Sequence, residues 1–294
     1  MILPINLRGM LSMGLAMGVF IGNDTCMKLA LADLPLFELV LMRGIAAVVL
    51  FLPLLMILGH AKDMARMFNP WLLARGLCEV AANFSFTAAI YKMAIADVTA
   101  ITLTCPLFVL LGARLLWRER LGRSRLLLIA LGICGALLVA QPGTSAASPY
   151  AILGFITALA AAGRDLITRR VPADIPAPVV AFTVIVILML AGGAGTLTLE
   201  SPVLPGSRHM LLMLLAGALL IGGHIFIFLA YRIGPAQSVA PFMYTLTLWA
   251  VLAGAIFFND IPNGLAFAGM ALVTLAGLLI IIVDGRARMV RSAA

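Results

Sequence analysis

The chain has 294 residues, 63% of them hydrophobic and 11% charged, with a mean hydropathy of +1.14. A water-soluble domain is nearer half apolar and a quarter charged, and it cannot hide this much apolar surface, so lipid must cover part of the chain. The formal charge of +8 would suggest nucleic acid in a soluble protein, but here the basic residues cluster in short connections between apolar runs, the orientation signal of a membrane protein.

Ten apolar segments follow one another, each near the ~20 residues that a bilayer core requires: 9–30, 36–59, 71–91, 97–117, 124–141, 150–170, 178–199, 209–231, 236–258 and 264–283. The first is too long for a signal peptide, carries Asp24 and Lys28, and lacks a small-x-small cleavage site. The second contains Arg43. The third carries Glu79, Asn83 and Phe86 at i, i+4 and i+7, one helical face. The fourth aligns Thr99, Thr102 and Pro106. The inner runs of the fifth and tenth, 126–140 and 265–282, contain no charge, and Thr274 is their one polar side chain, so they cannot line a hydrated path. Their glycines, Gly132, Gly135, Gly269 and Gly277, suit close helix packing at the periphery or a dimer contact. The sixth ends in Asp165 and Arg169, the eighth holds His224, and the ninth aligns Phe242, Thr245 and Trp249 beside Tyr244, after Pro241. Residues 284–294 form a basic tail. Period-2 alternation is absent, which excludes a β-barrel. The fold class is therefore an all-α polytopic membrane protein.

With the N-terminus inside, 16 of the 20 Lys and Arg residues fall at inner loops or at the termini. This asymmetry places both termini in the cytoplasm and the chain in the cell inner membrane. The four cysteines (Cys26, Cys78, Cys105, Cys134) lie singly in apolar segments with no metal or redox spacing, so neither a metal nor a cofactor is expected.

The segment "GNDTCMKLALADLP" at 22–35 returns in the second half as "GRDLITRRVPADIP" at 163–176. Gly22, Asp24, Ala32, Asp33 and Pro35 fall on identical residues, and Lys28 falls on Arg169. The same shift sets Gly76 on Gly217, Asn83 on His224 and Glu119 on Asp260. Each unit, 9–141 and 150–283, holds five helices. Five is odd, so the second copy enters the membrane inverted, a plan common to secondary transporters with a midplane site between halves.

Ten helices in two inverted halves resemble the drug/metabolite transporter superfamily, and its EamA-type exporters in particular. The local match is "WRERL" (Trp117 to Leu121) after helix 4, similar to that family's Gly-Glu, with "FNDIP" (Phe258 to Pro262) as its counterpart and Cys105-Pro106 like the family's helix 4 proline. Arg118 stands where a glycine is usual, and Thr247 where a second proline would be. Within the superfamily the chain looks most like bacterial exporters of amino acids, aromatic ones included. The resemblance also implies eight helices around a central cavity.

The residues name a site of the same kind. Asn83 and His224 are polar side chains at matching depths, which is expensive in a membrane unless they face a cavity or a partner. Helix-to-helix hydrogen bonding is the structural alternative. For Glu79 the structural alternative is neutralisation by Arg75, one turn back. Pro106 and Pro241 free backbone carbonyls that can accept from a substrate ammonium. A binding set of Glu79, Asn83, Phe86, Thr99, Thr102, His224, Phe242, Tyr244 and Trp249 follows. Asp24 and Lys28, and Asp165 and Arg169, stand at i, i+4 with the acid first, the favourable order on a helix. Arg43 needs a partner among Glu38, Asp24 and Asp33. These five charges are expected to close the two ends of the path alternately, static interfacial pairing being the alternative.

The expected function is a secondary exporter of small amphipathic metabolites, amino acids of broad range, by alternating access. Its partners are the small-molecule substrate and the lipid bilayer, with no nucleic acid, as a monomer or weak homodimer. No Walker A pattern is present, and proton coupling through Glu79 or His224 is compatible but not required. Rival readings are a multidrug or cationic-compound exporter and a nucleotide-sugar or phosphate exchanger, the latter disfavoured because Arg43 is nearly alone as an intramembrane cation. An intramembrane enzyme lacks its parts: there is no HExxH, no GxSxG and no carboxylate cluster.

Overall fold

The computed structural model describes residues 5–118, 122–142 and 148–292. The elements are α1 (Ile5–Ala30), α2 (Leu36–Ile57), a 3₁₀ segment (Ala61–Phe68), α3 (Pro70–Lys92), α4 (Ile95–Thr102), α5 (Cys105–Trp117), α6 (Arg123–Ala140), α7 (Ala151–Thr168), α8 (Ala177–Leu199), α9 (Ser207–Ile233), α10 (Ala236–Val239), a 3₁₀ segment (Ala240–Tyr244), α11 (Thr245–Phe258) and α12 (Gly264–Ser292). Leu77, Leu115, Leu127, Leu159, Leu190 and Ile256 project outward, each more than half exposed. Such a belt requires lipid.

Among the described residues, eight helical stretches are long and apolar enough to cross a membrane, not the ten expected. α1 and α3 have the length, but Asn23, Asp24 and Lys28 in one, and Arg75, Glu79, Asn83 and Lys92 in the other, lower their hydropathy. Two spans also differ in form. The fourth expected helix is broken at Leu103-Thr104, and the ninth is interrupted by the 3₁₀ segment. Pro106 has no N–H for the Thr102 carbonyl, and Pro241 none for that of Gln237, so a continuous ladder was unavailable at either place. The second halves of these spans start at Cys105 and Thr245. At the C-terminus, α12 continues to Ser292, through most of the expected tail. The end of the "WRERL" match, positions 119–121, lies outside the described residues.

Local chemistry fixes the helix ends. The Asn69 side chain accepts the Trp71 N–H at 3.0 Å, with Pro70 in the first turn of α3. α2 starts behind Pro35, which has no side-chain acceptor, and is capped from a distance. The Glu200 carboxylate, at the end of α8, accepts the N–H groups of Phe37 and Glu38 at 3.0–3.1 Å. Within the spans, Thr25, Thr87, Thr157, Thr183 and Thr196 donate to the carbonyl four residues back, which satisfies each hydroxyl inside its own helix.

Packing pairs α1 with α9, α3 with α7, α2 with α8, and α6 with α12. Glycine sets the closest crossings. A Cβ at Gly217 would stand 3.0 Å from the Ala46 Cβ, and one at Gly76 would overlap Ile187. The repeat shift that carries Gly76 onto Gly217 also carries Ala46 onto Ile187, so the two crossings are one contact seen from either half. α6 and α12 cross backbone on backbone: a Cβ at Gly135 would lie 2.8 Å from the Gly269 carbonyl oxygen. These two helices, read as peripheral, thus pack on each other within one chain. The largest buried cluster joins Met27, Leu39, Ile90 and Val98 to Met213, Ala250 and Met270, so both halves of the sequence share it.

Candidate functional site

The bundle has two ends, named here for the cations they carry. At the Lys28 end meet the C-termini of α1, α3 and α11 and the N-termini of α2, α9 and α12. At the Arg169 end meet the C-termini of α5 and α7 and the N-termini of α3 and α8.

Lys28 does not pair with Asp24. Its ammonium donates to the Met93 carbonyl at 2.7 Å and to Asp260 Oδ2 at 3.3 Å, and lies 4.7 Å from the Phe258 ring centroid. Lys28 stands in the last turn of α1. From there its long side chain reaches the carboxylate, carbonyl and ring gathered at the neighbouring helix ends, whereas Asp24 lies deeper on the same helix. Beyond Asp260 lies a recess of about 400 Å³, with Asp97, Gln141 and Asn263 among its walls.

At the opposite end, Arg169 does not reach Asp165 either. Its guanidinium lies 4.9 Å from the Trp117 ring centroid. Asp165 instead accepts from the neighbouring Arg164 Nε at 2.8 Å, and the Cys105 thiol lies 3.7 Å from its other oxygen. The i, i+4 spacing allowed both intrahelical pairs, but tertiary partners won. The shift that carries Lys28 onto Arg169 also carries Trp117 onto Phe258, so each end sets a cation on the matching aromatic. The residue after each aromatic has left-handed backbone: Arg118 at φ 55° and Asn259 at φ 53°.

Arg164 links this end to the interior. Its Nη1 donates to both Glu79 oxygens, at 3.1 and 3.3 Å. Arg75, the expected partner of Glu79, bonds the Thr168 hydroxyl through Nε at 3.0 Å and acts on Glu79 only through its field. One turn farther along α3, the Asn83 Oδ1 accepts from Arg43 Nη2 at 3.0 Å. Glu38 and Asp33, two candidates for Arg43, are occupied elsewhere. Glu38 accepts the Val203 N–H at 2.9 Å, and Asp33 holds His209 at 3.0 Å. Asp24, the third, acts on Arg43 electrostatically without a contact within 4.0 Å, as does Glu79.

Side-chain exposure falls along this line: 43% at Asp165, 26% at Arg164 and 19% at Glu79. Arg43 as a whole residue is 3% exposed. Carboxylates and guanidinium groups facing hydrocarbon would be costly, so these side chains turn toward one another or toward water. His224 stands at the side of this line, within the field of Glu79 and edge-on to Phe20 at 5.3 Å. Its Nδ1 meets the Leu220 carbonyl at 2.8 Å, so Nδ1 carries the proton and Nε2 keeps a free lone pair.

The remaining expected binding residues scatter. Phe86 packs against the main core. Phe242 packs with Met13, Met17 and Val239. Tyr244 is buried against Leu103, Ala136 and Val273, its hydroxyl at Gly277 of α12. Trp249 lies on Gly18 and donates to the Gly14 carbonyl at 2.9 Å. The aromatic wall read from the ninth segment is thus divided between α1 and α12, because the 3₁₀ turn rotates Tyr244 away from Trp249. Thr99, Thr102 and Thr247 keep buried hydroxyl oxygens without a partner among the described residues.

Arg164, Trp117 and Phe258 were missed as site residues. Arg164 read as one more inner-loop cation. The aromatic pair carried a signal, namely the same repeat offset as Lys28 and Arg169, directly before a left-handed corner and an acidic residue.

Among known proteins, residues 7–141 match the EamA-like transporter family. A riboflavin transporter of Rhizobium johnstonii is 31% identical over 78% of this chain and 75% of its own length. The pseudopaline exporter of Pseudomonas aeruginosa is 28% identical over 94% and 96%. An S-adenosylmethionine uptake transporter of Rickettsia prowazekii is 25% identical over 88% and 87%. A solved crystal structure at 18% identity shares the fold, with a TM-score of 0.64 over 95% of this chain and 98% of that one. The chain belongs to the EamA-like transporter family and is a membrane transporter rather than an enzyme.

Proposed function

We propose a secondary exporter of small amphipathic metabolites, with amino acids of broad range, neutral and aromatic, as its substrates. The observation that carries this reading is the line of charge from Asp165 through Arg164 and Glu79 to Arg43 and Asn83, with exposure graded along it. A line of polar groups that starts near water and ends on a buried Arg43 inside lipid suits a substrate path with one end closed.

Two inverted five-helix repeats, 9–141 and 150–283, with ten spans in all, underlie the mechanism. Support comes from the packing: the pairing of α1 with α9 and of α3 with α7 is a single contact under exchange of the two halves. α1 and α3 count as spans because their polar residues face protein partners. The basic asymmetry of the loops supports cytoplasmic termini and an inner-membrane location, which makes the Arg169 end the cytoplasmic one. In this state Lys28, Phe258 and Asp260 close the outer end. Alternation would release that set. The relatives carry riboflavin, pseudopaline and S-adenosylmethionine by name, which supports a metabolite substrate and leaves amino acids as our own specification.

The test is counterflow into proteoliposomes of radiolabelled phenylalanine, ethidium and glucose 6-phosphate. Phenylalanine above the empty-liposome background, with the others at background, is the expected result. Ethidium alone would replace the reading with a multidrug exporter, and the sugar phosphate alone with an exchanger.

A further inference from the structure

We infer that Arg43 is the anchor for a substrate carboxylate and Asp24 the acceptor for its ammonium group, so that the site selects zwitterions. The inference rests on the amino-acid reading above and goes beyond it by assigning the two charges that read the substrate. In the sequence both were gate residues.

Arg43 differs from Lys28 and Arg164. Lys28 and Arg164 each have a carboxylate oxygen within 3.3 Å. Arg43, at 3% exposure, has none within 4.0 Å among the described residues. Of its donors, Nη2 bonds the neutral Asn83 carboxamide, and Nε is buried without a partner among the described residues. Nε–H and Nη2–H lie on one edge of the guanidinium, the fork that matches two carboxylate oxygens. Asn83 Oδ1 therefore occupies half of a carboxylate site, and the orphaned Nε marks the other half. A buried guanidinium in this condition is costly, and a ligand that completes the fork removes the cost.

Charge balance then selects the ligand. Asp24 and Glu79 already act on Arg43. Glu79 is held by Arg164, whereas Asp24 has one side-chain contact, Asn23 Nδ2 at 2.8 Å, and no cation within 4.0 Å among the described residues. Arg43 and Asp24 together carry no net charge, so a bare carboxylate entering between them would leave one uncompensated negative charge. A zwitterion brings its own ammonium to Asp24 and leaves the pocket neutral.

The experiment uses purified full-length protein in proteoliposomes, with phenylalanine counterflow competed by phenylalaninamide and by 3-phenylpropionate. Unlabelled phenylalanine should compete about tenfold or more better than either analogue, the scale of one charge-assisted contact. In Arg43→Gln the preference for phenylalanine over its amide should fall toward one. In Asp24→Asn the preference over 3-phenylpropionate should fall toward one. Arg43→Lys should keep part of the preference, because it retains the charge and loses the fork. If phenylalanine is carried but wild type treats it and the amide alike, or if Arg43→Gln weakens all three ligands by one factor, the anchor role is overturned and the amino-acid reading stands. If ethidium and not phenylalanine is carried, both fall.

Discussion

The two ends of the bundle hold related parts in different states. At one, Lys28 is drawn in, with 13% of its side chain exposed, and is fixed by a carbonyl, a carboxylate and a ring. At the other, Arg169 lies over its ring and is exposed, and Glu79, deeper in, keeps 19% of its side chain exposed. Repeat-related cations thus lie over matching aromatics, one drawn in and the other exposed. Under the proposed alternating access, a difference of this kind in depth is what a small bias between two near-equal states would change.

The comparison can be broken most severely at Glu79. Glu79→Gln removes the inner partner of Arg164, and taking one member from a pair this buried costs up to about 3–5 kcal/mol, less here because water reaches it. Phenylalanine counterflow should fall more than tenfold, with Glu79→Asp retaining part of it. Full activity in Glu79→Gln would make the line of charge incidental. A control at neither end comes next. Gly135→Ala drives a Cβ toward the Gly269 carbonyl and should destabilise by about 1–3 kcal/mol, seen as a lower melting temperature. Gly14→Ala, with open space around it, should be neutral or stabilise by up to about 1 kcal/mol. Equal effects of the two would refute the close crossing.

Smaller effects sharpen the contrast. Asp260→Asn weakens the Lys28 latch by on the order of 1 kcal/mol, a population shift of about fivefold. In a background without the four native cysteines, a reporter cysteine at Asn23, now buried, should then label faster with an impermeant maleimide. Unchanged labelling would leave the Lys28 set a static brace. The smallest effects belong to the outer ties. Asp33 joins the loop after α1 to His209 and Arg208, and Asp174 joins the loop after α7 to Arg66. Each is surface-exposed and worth below about 1 kcal/mol. Asp33→Asn and Asp174→Asn should bias the reporter in opposite directions, and the effects should fade at high salt.

Much of this was legible in the chain. Composition named a membrane protein because apolar surface has nowhere else to go. The offset could be read because the chain keeps Asp33 and Asp174, and Pro35 and Pro176, in the loops before α2 and α8, where turn chemistry restricts the choice. Partner identity was not legible. Asp24 and Lys28 had the spacing of a pair, yet Lys28 found Asp260 in the other half of the chain, because helix ends from distant segments converge there. The direction of Tyr244 was also hidden, since a 3₁₀ turn after Pro241 changes the angular step on which a helical stripe depends. Arg43 was visible as an expense, but its preference for Asn83 over three acids required knowing that Glu38 and Asp33 already serve helix and loop ends.

Arg118 and Asn259 turn the same left-handed corner with unlike side chains. At 259 the bend is closed by the Asp260 N–H returning to the Gly254 carbonyl at 3.0 Å. Asparagine accepts this backbone readily, whereas arginine bears roughly 1 kcal/mol of strain that glycine would not. The two corners therefore have unequal room to vary. Position 259 is near its optimum, and most replacements there lose, whereas position 118 has slack that a change to glycine could take up. Under the proposed two-repeat plan, such slack would mark the half that has drifted farther from the shared shape.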